Sequence, residues 1–147
     1  MTNAADPVNS DALKAQLGAA YDHFSAAEQD LHVELLRSIR RPEDVALHAE
    51  SESDGSWTVT ICTSDCLGAL ATIAGLFPAY RFDIQSADVF TLRFPQRRPD
   101  AEVGPRARRY SQRPRPPEQG PPTRRILDVF QARALKDPGE DVWERFQ

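Results

Sequence analysis

With 147 residues, 40% of them hydrophobic and 27% charged, the chain has room for one core of modest size, which excludes large multidomain catalytic folds. Its formal net charge of -4 is unevenly laid out: residues 1–92 carry five basic and fourteen acidic side chains, whereas Arg93 to Arg125 holds ten arginines against Asp100, Glu102 and Glu118, with eight of the twelve prolines. No apolar run reaches the roughly 18 residues needed to span a bilayer, and MTNAADPVNS has neither the basic start nor the apolar stretch of a signal peptide, so a cytoplasmic protein with its two cysteines reduced is expected.

Residues 1–9 read as a disordered tail and residues 10–50 as an N-terminal helical segment. After a cap at Ser10 or Asp11, Leu13, Leu17, Ala20, Tyr21 and Phe24 recur at helical spacing. Ser25-Ala26-Ala27-Glu28 is a capping box that starts a second helix, with Leu31, Leu35 and Ile39 as its stripe, flanked by Val33 and Leu36. Arg41-Pro42 ends it, because the residue before proline is pushed out of the helical region. Val45, Leu47 and Ala49 then alternate with polar residues as a short strand, and Glu52-Ser53-Asp54-Gly55 signals a turn.

From residue 54 onward a second pattern begins. Trp57, Val59 and Ile61 alternate with polar neighbours as a half-buried strand. LGALATIAGLFPAY follows as a helix whose stripe is Leu67, Leu70, Ala71, Ala74 and Phe77, widened by Ile73 and Leu76. In RFDIQSADVFTLRF, Phe82, Ile84, Phe90, Leu92 and Phe94 share one parity, which predicts a long strand with one apolar face. RRILDVFQARAL is its antiparallel partner. Between them, residues 95–124 form a disordered Arg/Pro-rich insertion, since Pro, Gly and Arg leave almost nothing to bury. GEDVWERFQ is a terminal helical turn with Val142, Trp143 and Phe146 apolar.

Strand, helix, strand, strand and start of helix make an α+β chain, the first five parts of a ferredoxin-like βαββαβ unit whose last strand is missing. The strand VTICTSD, the turn Cys66-Leu67-Gly68, the helix and FDIQSADVFT resemble an ACT domain, a regulatory module that senses amino acids. The upstream YDHFSAAEQDLHVELLRSI and the pair SADVFT and ILDVFQAR resemble most the ACT-like modules of bacterial glutamine synthetase adenylyltransferases and uridylyltransferases. That resemblance, over about 80 residues, implies a noncatalytic module of nitrogen-metabolism control that senses a small amino acid such as glutamine or docks a partner. Cys66-Leu67-Gly68 departs from the family where a proline is usual. The alternative is a fragment of such a nucleotidyltransferase without its catalytic part.

A strand turning directly into a helix presents free N–H groups and the positive end of the helix dipole, which suits an amino-acid carboxylate. The resemblance tips this turn toward amino-acid sensing and implies Asp65, Cys66, Leu67, Gly68 and Ile84 as ligand-binding residues; no catalytic residue, metal or cofactor is expected. Asp65 capping its own helix is the simpler account of that residue. Glu28 and His32 stand at metal-ligand spacing but are better explained as a solvated helix face, and Cys62 and Cys66 as a strand-end residue and a helix-start thiol. Asp88 and Asp128 read as register residues of the hairpin rather than paired catalytic carboxylates. A missing last strand leaves a bare sheet edge, which predicts a homodimer or intramolecular pairing with another domain. The Arg-rich stretch would bind nucleic acid or an acidic partner through phosphate-type contacts if it bound anything; the reading preferred here is a solvated excursion.

Overall fold

The Asn9 side chain accepts the Ala12 N–H at 2.9 Å, and this cap, one residue earlier than expected, starts α1 (Ser10–Leu17). Coordinates come from a computed structural model that describes residues 8–96, 120–139 and 141–146. Most of the expected tail and the bulk of the expected insertion, residues 97–119, lie outside the described residues, while Val8 is already buried. A 3-10 turn (Gly18–Tyr21) leads into α2 (Ala26–Ser38). There the capping box is complete: the Glu28 N–H donates to Ser25 Oγ and the Ser25 N–H donates to the Glu28 carboxylate at 2.7 Å.

Next come β1 (Val45–Ser51), β2 (Ser56–Ser64), α3 (Ala69–Ala79), β3 (Phe82–Gln96), β4 (Gly120–Ala134) and a short α4 (Val142–Phe146). The four strands form one antiparallel sheet in the order β1-β2-β4-β3. In a ferredoxin-like unit the last strand would lie beside β2; here β1, the short strand expected at the end of the N-terminal segment, takes that edge. Both flanks of the insertion are strand, since β3 runs on to Gln96 and β4 begins at Gly120.

Strand residues alternate between two cores. Cys62, Leu127 and Val129 face one side, where they meet Leu13, Tyr21, Phe24, Val33 and Leu36 from α1, the 3-10 turn and α2. Val59, Ile61, Phe130 and Ala132 face the other, against Phe77 of α3 and Val142 and Phe146 of α4. The sheet is thus covered on both faces, which one chain of helices on a single side could not do.

A register shift in β3 between Ile84 and Ser86 corrects the single apolar face expected there. The extra residue reverses the alternation, so Phe82 and Ile84 pack with α3 and α4 while Phe90, Leu92 and Phe94 pack with α1 and α2. Even-numbered apolar residues along one strand therefore serve opposite cores. The two aspartates of the hairpin part company as well: Asp88 pairs with Val129 and Asp128 with Val89, so their side chains point to opposite faces. Asp88 meets His23 at 3.2 Å.

On α2 the flanking Val33 and Leu36 and the stripe's Ile39 are buried, Leu31 and Leu35 are half-buried, and Gln29 and His32 are buried beside them. His32 is buried rather than solvated; its Nδ1 lies 2.8 Å from the Tyr21 hydroxyl, inside a cluster with Phe24 and Phe90. Burial drives the Tyr21 hydroxyl well above its ordinary range. Substituting Tyr21→Phe keeps the ring but strands the His32 nitrogen, so a loss of about 1–3 kcal/mol in unfolding free energy is expected. Urea denaturation at neutral pH checks it; a variant as stable as the parent would show that the hydrogen bond contributes nothing.

Candidate functional site

β2 ends at Ser64, and Asp65 to Gly68 carry the chain up and over into α3. Gly68 closes that reversal with φ of 82°, in the left-handed region where a side chain is strained. No side chain caps the helix, so the expected Asp65 cap does not form. Asp65 instead stays with β4: its N–H donates to the Arg124 carbonyl at 3.0 Å and its carboxylate lies 3.9 Å from the Arg124 guanidinium. The Ala69 N–H turns back to the Cys66 carbonyl at 3.1 Å and the Thr72 N–H reaches Gly68 at 2.9 Å. Between them the N–H groups of Leu70 and Ala71 stay open among the described residues, and they carry the positive end of the helix dipole.

These open donors form one rim of a crevice of about 620 Å³. Its walls are Asp65 to Ala71 on the helix side and Val89 and Thr91 of β3 on the other, and its floor is Ile126 and Asp128 of β4. The expected residues Asp65, Cys66, Leu67 and Gly68 are all brought together here. Ile84 is not: it lies before the β3 bulge, partly buried in the α3–α4 core near Phe82, and it lines no part of the crevice.

Asp128, taken from the sequence only as a register residue, is the centre of this site. Its side chain is fully buried, and neither carboxylate oxygen has a hydrogen-bond partner. The apolar surroundings push its pKa up from 3.8 to about 6. At neutral pH the carboxylate is therefore ionised, buried and uncompensated, an arrangement that costs several kcal/mol unless a cation is supplied. A charge in the middle of the apolar run Ile126-Leu127-Asp128-Val129-Phe130 was the signal available in the sequence.

Only Phe77 of α3 is buried, although the helix is apolar throughout. The predicted stripe is displaced: Ile73, Leu76 and Phe77 pack on the core, while Leu67 is fully exposed and Leu70 is 43% exposed. These exposed residues border the crevice.

The two cysteines fall on opposite sides of the sheet, Cys62 in the α1–α2 core and Cys66 exposed at the crevice mouth, and both are free thiols. Burial raises the Cys62 thiol far above its ordinary value, so it is inert. Among the described residues no group of three or more His, Cys, Asp or Glu side chains is placed to hold a metal ion, and no helix is long and apolar enough to cross a membrane. Comparison with protein families, with curated proteins and with solved structures finds no match to this chain.

Two buried groups titrate with opposite signs. Burial holds His32 down at about 4 instead of 6.5, so the unfolded chain binds the extra proton in that interval and stability falls as pH drops through it. For Asp128 the folded state takes the proton first, so the penalty of its charge is absent below 3.8 and grows as pH rises to about 6. Between about pH 4 and 6 the two slopes oppose each other. Asp128→Asn should remove one of them and leave a steeper loss of stability on acidification than the parent shows. Denaturation midpoints at pH 4, 5, 6 and 7 read this directly; equal slopes in the two proteins would contradict it.

Proposed function

We propose that this chain is a noncatalytic regulatory module that binds a small α-amino acid in the crevice beneath α3. The observation that carries the reading is Asp128, buried and without a partner on either oxygen, on the floor of a crevice rimmed by an uncapped helix N-terminus. A zwitterion satisfies both ends. Its ammonium group compensates the carboxylate, and its own carboxylate accepts from the Leu70 and Ala71 N–H groups with the helix dipole behind them. Apolar walls exclude water and strengthen both contacts.

The resemblance of VTICTSD, Cys66-Leu67-Gly68 and FDIQSADVFT to ACT domains supports the same reading, because it draws attention to the same strand-to-helix turn. The antiparallel sheet is compatible with a ferredoxin-like βαββ unit whose remaining edge is supplied by β1. Within that reading the module serves control of nitrogen metabolism, with glutamine the first ligand to try. A docking role is the second reading, favoured by the exposure of Leu67 and Leu70 on α3.

Titration calorimetry of the full chain against the twenty amino acids is expected to give binding for at least one, at roughly micromolar to millimolar affinity, about 4 to 8 kcal/mol. The matching deaminated acid and decarboxylated amine should each bind at least tenfold more weakly, because each leaves one end unpaired. Asp128→Asn, which keeps the shape and removes the charge, should abolish the heat while preserving the far-ultraviolet circular dichroism. Gly68 is a poor test position: a Cβ there meets no atom within 4 Å, and only its φ of 82° resists substitution. No heat from any of the twenty would remove the amino-acid reading and leave docking.

A further inference from the structure

The two edges of the sheet are unequal. On β3 the Gln16 side chain acts as a strand substitute: its Nε2 donates to the Arg93 carbonyl at 2.9 Å and its Oε1 accepts the Arg93 N–H at 2.8 Å. Together with the bulge at Gln85, this blunts the β3 edge against another chain. β1 has no such guard. It pairs with β2 through all seven of its residues, and its outer side meets no strand among the described residues.

The unguarded edge is flanked by apolar surface. On the α3 face a groove of about 260 Å³ runs between β1, β2 and α3, bordered by Val45, Leu47, Ile61, Leu67, Ile73 and Leu76. Val45 is 48% exposed and Leu67 fully so. On the opposite face β1 carries His48, half-buried, and Glu50, exposed, with Nε2 and Oε2 4.0 Å apart. An extended strand placed along β1 would be offered main-chain donors and acceptors, apolar cover on one face and one basic and one acidic group on the other.

We infer that the occupant is a second copy of this chain, paired β1 to β1 in antiparallel fashion about a two-fold axis at Ala49. A two-fold axis normal to the sheet keeps the α3 faces of both copies on one side, so residues of equal parity must oppose each other. With Ala49 on the axis, His48 stands opposite Glu50 of the second copy, and Glu50 opposite its His48. Each imidazole N–H then donates to a carboxylate across the seam, and the contact is made twice by symmetry. The same surface satisfies itself, as a two-fold interface requires, and the result is a continuous eight-stranded sheet. This inference stands apart from amino-acid binding, because the crevice over Asp128 lies on the β3 and β4 side of α3 and the groove on the β1 side.

Sedimentation equilibrium of the full chain over the ~10 µM to ~1 mM range expected for a weak interface of this size should show a monomer–dimer equilibrium. Glu50→Lys sets an ammonium against each opposing imidazole, and His48→Glu sets carboxylates against each other; each alone should weaken association at least tenfold. The double substitution His48→Glu with Glu50→Lys restores opposite charges across the seam and should restore the dimer. Circular dichroism confirms that each variant folds. A parent that stays monomeric throughout overturns the inference. So does a dimer indifferent to the single substitutions, or one that the double substitution fails to rescue, since the contact would then lie elsewhere.

Discussion

β4 is hydrogen-bonded along both of its sides, to β2 through nine registered positions and to β3 along almost its whole length, and the rest of the molecule depends on that double pairing. A central strand has no solvent-facing edge, and along its middle helices cover both faces as well. Ile126 to Phe130 are all buried in consequence. A strand covered on both faces should be continuously apolar. Asp128 is the one residue of that run that breaks the rule, and its position leaves it neither water nor a partner.

Natural cores keep such a group only where something compensates it, or where the cost is part of what the protein does. Burial raises the carboxyl pKa to about 6, so at neutral pH the group carries its charge without compensation. The neighbouring α3 behaves consistently. It is apolar enough to bury fully, yet Leu70 in its first turn is 43% exposed, with Gly68 in a left-handed conformation and no side-chain cap on its N-terminus. An acidic floor and a positive rim in one apolar recess are complementary to a ligand carrying both charges.

Stability elsewhere comes from local contacts that tie the N-terminal helices to the sheet. Tyr21, Phe24, His32 and Phe90 form a ring cluster, Gln16 holds the β3 edge, and Arg125 reaches the Leu36 carbonyl at 2.7 Å while lying over the Phe94 ring. These contacts make α1 and α2 the second layer of one core rather than a separate segment. Because only residues 39–44 separate α2 from β1, the same helices also deliver the strand that occupies the fourth edge position. The Trp57, Phe82 and Trp143 rings perform the equivalent closure at the opposite face, where α4 folds back.

By itself the sequence determined the features that depend on neighbours a few residues away: the capping box at Ser25 and Glu28, the alternation of β2, the antiparallel β3–β4 pair, the short β1, and the turn Asp65 to Gly68 as a recess beside a helix start. Hydrogen-bonded caps and side-chain periodicity are local physics, and they read directly. Only the tertiary structure decided which face each stripe serves. One extra residue at the β3 bulge moved Ile84 away from the site and sent Phe82 and Phe90 to different cores, an event with no signature in residue type. Burial of His32, exposure of Leu67 and Leu70, and the separation of Asp88 from Asp128 followed from how two helical layers share one sheet. Asp128 became a candidate binding group for the same reason: a carboxylate in an apolar run is ordinary on a solvated strand and costly in the middle of a covered one, and strand order is set by long-range pairing that no local pattern encodes.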